Sequence, residues 1–163
     1  MSSLDELIGL ELAARLQGKS FYEAKARALA DSGILSRLRT QGFDDSHIEA
    51  IIHGTDWREK LDWAKDNFES VLKPMGFNGY HYSQIVLGAG WKDKLDWMER
   101  NYRKVLQPLD ISQSSAAKIV KGAEWEDKVK WVQEHYTSSG LKQSDVVKAM
   151  AKKDWRDQLK YAA

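Results

Sequence analysis

The sequence predicts an all-α protein: an α-solenoid of about four 34-residue helix–turn–helix repeats behind an atypical N-terminal capping repeat. Three observations carry that expectation. Trp57, Trp91 and Trp125 are spaced by 34 residues, and Trp155 follows after 30. The surrounding text recurs with them, as GTDWREKLDW, GAGWKDKLDW, GAEWEDKVKW and AKKDWRDQLKY. Apolar residues then follow in steps of three and four, the period of one helical face.

The expected units are 1–42, 43–76, 77–110, 111–140 and 141–163, together one helical-repeat domain. The first is the degenerate one. Gly18, Phe21 and Glu23 match Gly54, Trp57 and Glu59, and Leu12 and Leu16 match Ile48 and Ile52. A terminal repeat must present a polar outer face, so divergence is expected there.

Each later unit opens with a short helix. Its apolar positions are Ile48, Ile51 and Ile52, then Tyr82, Ile85 and Val86, then Ala116, Ile119 and Val120, then Val146, Ala149 and Met150. Phe43, Phe77, Ile111 and Leu141 anchor the approach to it, and Asp45, Ser112 and Ser144 are the expected N-caps. Gly54, Gly88 and Gly122 fit the left-handed residue that closes a helix, a position held by Lys152 in the last unit.

The long helix starts at each first tryptophan, which is expected to be core. Leu61, Ala64, Phe68 and Val71/Leu72 continue the stripe in one copy, and Leu95, Met98, Tyr102 and Val105/Leu106 in the next. An acid stands three residues after each expected cap, in Ser20/Glu23, Asp56/Glu59, Gly90/Asp93, Glu124/Asp127 and Asp154/Asp157. The first two pairs resemble capping boxes. Pro74 and Pro108 are expected to stop their helices. The four residues missing before Leu141 predict a third long helix about one turn shorter. The last copy ends with Tyr161-Ala162-Ala163 after about two turns, which suits truncation, closure by a partner or self-association.

Composition narrows the function classes. The chain has 163 residues, 42% hydrophobic and 30% charged, with 25 Lys+Arg against 24 Asp+Glu. No cysteine is present, which removes disulfides, thiolate zinc sites and cysteine nucleophiles. No apolar run approaches membrane-spanning length and no secretory signal opens the sequence, so a soluble, cytoplasmic protein without membrane contact is expected, with non-classical export left open. His47, His53, His81 and His135 show no metal-ligand spacing, and His81 reads as lying at a different repeat position from the first two. Neither a nucleophile elbow nor a Gly-rich phosphate loop occurs. The polar residues that recur do so in every unit, whereas catalysis needs different side chains converging once. The expectation is therefore a non-enzymatic chain without cofactor or metal.

Two sets of residues are candidates for binding. Trp63, Trp97, Trp131 and Tyr161 each lie six residues after the first aromatic, about 120° round the helix and off the main stripe. They form an aromatic ladder, either a second buried flank or a row of anchors for a protein partner. The second set follows from uneven charge. Residues 1–90 carry 10 basic and 13 acidic residues, residues 91–163 carry 15 and 11. Lys118, Lys121, Lys148, Lys152, Lys153 and Arg156 gather round the inter-helix turns of the last two units, where they are a solvated face or a patch for nucleic acid or an acidic partner.

The tetratricopeptide pattern does not fit, because Leu61 and Leu95 stand where it requires glycine. Gln143 to Leu159 (QSDVVKAMAKKDWRDQL) resembles the start of a DNA-binding repeat of transcription-activator-like effectors, especially the divergent bacterial type, and Ile111 to Val129 resembles it less closely. The resemblance implies a short helix, a tight turn and a longer helix that together track DNA. Its base-reading positions would fall on Gly54/Thr55, Gly88/Ala89, Gly122/Ala123 and Lys152/Lys153, of which only the last pair is clearly polar. Tryptophan also stands where the family has glycines after the reading turn.

Overall fold

The computed structural model describes residues 33–162, and among them all regular structure is helical. The expected capping repeat lies almost wholly outside the described residues, including Leu12, Leu16, Gly18, Ser20, Phe21 and Glu23. The chain divides into two compact units. One reaches to Pro74 and includes Asn78–Ser83; the other comprises Met75–Phe77 and everything from Gln84 onward.

In the first unit, α1 (Ile34–Thr40) and α2 (Asp45–Ile52) both pack on α3 (Trp57–Asn67). Leu35, Leu38, Ile48, Ile52, Leu61 and Ala64 are fully buried at their junction. Phe43 meets Phe68 edge-on at 4.9 Å and Tyr82 at 5.6 Å. Such aromatic contacts contribute about 0.5–1.5 kcal/mol each beyond area burial. Tyr82 lies within α4 (Gly79–Ile85), and its hydroxyl donates to the carbonyl of Lys60.

The second unit contains α5 (Trp91–Asn101), α6 (Gln113–Ile119), α7 (Trp125–Ser139), α8 (Gln143–Met150) and α9 (Trp155–Ala162). Here α6 packs on α7 and on α8, and α8 on α9. Every apolar position expected on the short helices is buried, from Ile48 to Met150. Trp91, Trp125 and Trp155 are buried as well, while Trp57 is only half-buried, so the first-position core rule holds for three of the four.

Two side-chain amides link successive stretches of the second unit. Gln113 Nε2 donates to the Met75 carbonyl at 2.9 Å. Gln143 Nε2 donates to the Asp110 carbonyl at 2.8 Å, and its Oε1 accepts from the Ser112 N–H at 2.9 Å. Gln113 and Gln143 stand at one repeat position, twelve before their tryptophans.

The helix ends differ from the sequence reading in four places. Asp44, not Asp45, caps α2: its carboxylate accepts the His47 N–H, and His47 Nδ1 accepts the Asp44 N–H, a capping box with histidine at the third position. Asp45 points inward to an ion pair with Arg39 at 2.9 Å. Ser112 does cap α6, but Lys142 precedes α8, which leaves Ser144 inside the helix. Asp56 makes no cap bond with its side chain, and its backbone is left-handed at φ 54. Gly88 and Gly122 are left-handed as expected, at φ 80 and 86, whereas Gly54 is not.

The prolines do not simply stop their helices. After Asn67 and Asn101 the chain widens into π-helical turns, Phe68–Leu72 and Tyr102–Leu106, then tightens into 3-10 turns, Lys73–Met75 and Gln107–Leu109. A proline in a regular α-helix lacks an N–H and collides with the carbonyl four residues back. Shifting the ladder before it removes that collision. The carbonyls of Trp63 and Trp97 are met instead by the side-chain amides of Asn67 and Asn101, at 3.2 and 3.1 Å. The corresponding stretch of α7 has no proline and stays regular for 15 residues, against 11, five and three in the other copies. That run is shorter by the expected turn.

Candidate functional site

The start of α9 is tied to the start of α7. Glu124, the N-cap of α7, is left-handed at φ 60, and its carboxylate accepts from Trp155 Nε1 at 3.1 Å and Arg156 Nη1 at 2.9 Å. Arg156 Nη2 bonds Asp127 at 3.0 Å, and the guanidinium lies 4.3 Å over the Trp155 ring. The hydrogen bond from Arg156, with that from Trp155 behind it, holds the Glu124 carboxyl below its ordinary range. The same bond to Glu124 raises Arg156. Thus one indole and one guanidinium fix how the two helices meet.

Between them opens a groove of about 520 Å³, with Trp131, Trp155 and Leu159 among its apolar lining and Lys130, His135 and Lys160 among its polar lining. Trp131 is half-buried and tilts toward His135, with ring centres 5.8 Å apart. This places one rung of the aromatic ladder on an accessible concave surface. The other rungs differ. Trp63 is half-buried and stacks on Tyr82 at 5.6 Å and 12° between planes. Trp97 is half-buried, and Tyr161 is 87% exposed. The ladder is therefore graded from a packed rung to an open one.

Lys118, Lys121, Lys148, Lys152 and Lys153 are all exposed. Lys118 lies in the last turn of α6 and Lys148 in the last turn of α8, where cations meet the negative ends of the helix dipoles. Arg156 stands apart from this set, because Glu124 and Asp127 already hold it.

Three recurrences escaped the sequence reading. Lys60, Lys94 and Lys128, each three residues after a first tryptophan, are buried. Lys94 Nζ donates at 3.1 Å to the Leu87 carbonyl, just past the end of the short helix. Burial pushes the ammonium groups of Lys60 and Lys128 below their ordinary pKa, opposed by Asp56 and Glu124 respectively. Lysine is usually a surface residue, so identity gave no hint; the constant offset from tryptophan was the available signal. The second recurrence is the Asn67/Asn101 pair. The third corrects the reading of the histidines. His47 and His81 are 34 apart and play one role, since His81 Nδ1 accepts the Asn78 N–H at 3.1 Å as His47 does for Asp44. Among the described residues no group of three or more His, Asp or Glu side chains is placed to hold a metal ion, and no helix is long and apolar enough to cross a membrane.

The fold and groove define an all-α protein with a concave surface of mixed aromatic and charged lining. No protein-family model, no curated protein and no solved structure matches the chain.

Proposed function

We propose that the chain is an α-solenoid of helix–turn–helix repeats and acts as a non-enzymatic binding module for a protein partner. The observation that carries the reading is the groove between α7 and α9. It sets a half-buried tryptophan among charged side chains, the combination that anchors protein interfaces. The recurrence of scaffold residues supports a binding role over catalysis. An adaptor, an inhibitor or a small effector would use such a surface, and the exposed Tyr161 is suited to extend it or to mediate self-association.

The test is affinity capture with the full chain followed by size-exclusion light scattering. A partner should be retained by the native chain and lost by Trp131→Ala and by Lys160→Glu, both checked for an unchanged circular-dichroism melt. Retention of the same partner by both folded variants would remove the groove as the site. A melt lowered by Trp63→Ala or Trp97→Ala with capture unchanged would restrict the ladder's binding role to its last rungs.

A second reading is nucleic-acid binding. It is favoured by the five exposed lysines round the ends of α6 and α8, none of which has an ion-pair partner among the described residues, and by the resemblance to the transcription-activator-like repeats. DNA and RNA titrations over a range of salt would show log affinity falling by about 0.9 per phosphate neutralised for each tenfold rise in salt. No binding at low salt would end this reading.

A further inference from the structure

We propose that the groove between α7 and α9 takes an acidic peptide segment that carries one apolar anchor. This rests on the reading of the groove as a protein-binding surface and names the partner's chemistry.

The lining charges are not equivalent. Arg156 is committed, with one nitrogen on Glu124 and another on Asp127. Asp127 is thereby occupied too. Glu134 lies 3.7 Å from His135 Nε2. Lys130 and Lys160 are exposed and have no ion-pair partner among the described residues. They immediately precede Trp131 and follow Leu159, two apolar residues of the lining. The groove therefore offers two unclaimed ammonium groups beside its aromatic surface, whereas each of its carboxylates already faces a cationic or titratable side chain.

An occupant with carboxylates gains ion pairs at Lys130 and Lys160 without displacing any internal bond. A basic occupant must either face those ammonium groups or pull Asp127 from Arg156, which would also loosen the Glu124 junction. An aromatic or branched aliphatic side chain fits against Trp131, where hydrophobic and stacking contacts add to charge. The surplus of basic residues over 91–163, 15 against 11, gives the longer-range field the same sign.

Selection of a phage-displayed random-peptide library on the immobilised full chain tests the proposal, followed by titration of the enriched peptides as fluorescein conjugates. Enriched peptides should be net acidic with a single aromatic or aliphatic anchor. Their affinity should fall about tenfold on the Lys130→Glu/Lys160→Glu chain, since each reversal turns an attraction into a repulsion. The reversed chain should in turn take the same peptides with acids replaced by lysine. Neutral or basic peptides that bind the groove and ignore the reversal would overturn the acidic chemistry and leave the docking surface standing. Peptides indifferent to Trp131→Ala, no enrichment at all, or a dimer in light scattering that Trp131→Ala dissolves would overturn both.

Discussion

A buried lysine is costly unless its ammonium finds acceptors, and at Lys94 the acceptor is the carbonyl of Leu87. Lys94→Met keeps the stem and removes the donor, leaving that carbonyl short of a partner. It should lower stability by about 1 kcal/mol in urea denaturation; an unchanged midpoint would show that the stem alone matters. The histidines carry a different prediction. His81 Nδ1 accepts a backbone N–H, a bond available only while that nitrogen is unprotonated. Burial, then the neighbouring charge of His47, holds its pKa below the ordinary value of 6.5. The unfolded chain thus takes up the proton first. The stability contributed by neutral His81 is present above pH 6.5 and is lost as pH falls through the lower folded value. The thermal midpoint should drop as pH falls below 6.5, and His81→Gln, whose amide oxygen can accept the same N–H, should flatten that slope.

At the scale of elements, the turns between short and long helices divide the glycines into two kinds. Gly88 is left-handed with open space around it, so Gly88→Ala should cost about 1 kcal/mol through backbone strain alone. Gly54 has an ordinary φ, and a methyl there would meet Lys60 Nζ at 3.4 Å and the Ile51 carbonyl at 3.5 Å, both ordinary contacts. Gly54→Ala should leave stability unchanged or raise it by up to about 1 kcal/mol, because it restricts the unfolded chain. Equal losses in both variants would refute the distinction. This contrast also marks what was legible in the sequence. Periodicity located the helices, their buried faces and the shorter third run, because burial is read directly from spacing. The turn geometry was not legible, since Gly54 and Gly88 look alike while their conformations are set by neighbours. Nor were the π-helical turns, which answer jointly to Pro74 or Pro108 and to Asn67 or Asn101. The groove escaped because its two helices are joined by Glu124, Trp155 and Arg156, residues that read as ordinary helix starts.

For the molecule as a whole, near-neutral net charge conceals a division between acidic and basic parts of the sequence. The exposed lysines near the ends of α6 and α8 should retain the chain on a polyanion such as immobilised heparin at low salt. The triple variant Lys148→Glu/Lys152→Glu/Lys153→Glu should elute at clearly lower salt, whereas Lys130→Glu should shift elution less. Equal shifts would mean that net charge alone governs retention.

The length difference between the long helical runs bears on how such a chain can change over time. Four residues amount to about one turn of helix, so their loss leaves the following residues facing much the same way. The glutamine links at Gln113 and Gln143 form on either side of runs of different length. A unit of this chain can therefore lose a whole turn and keep its packing faces, whereas one inserted residue would rotate everything downstream by about 100°.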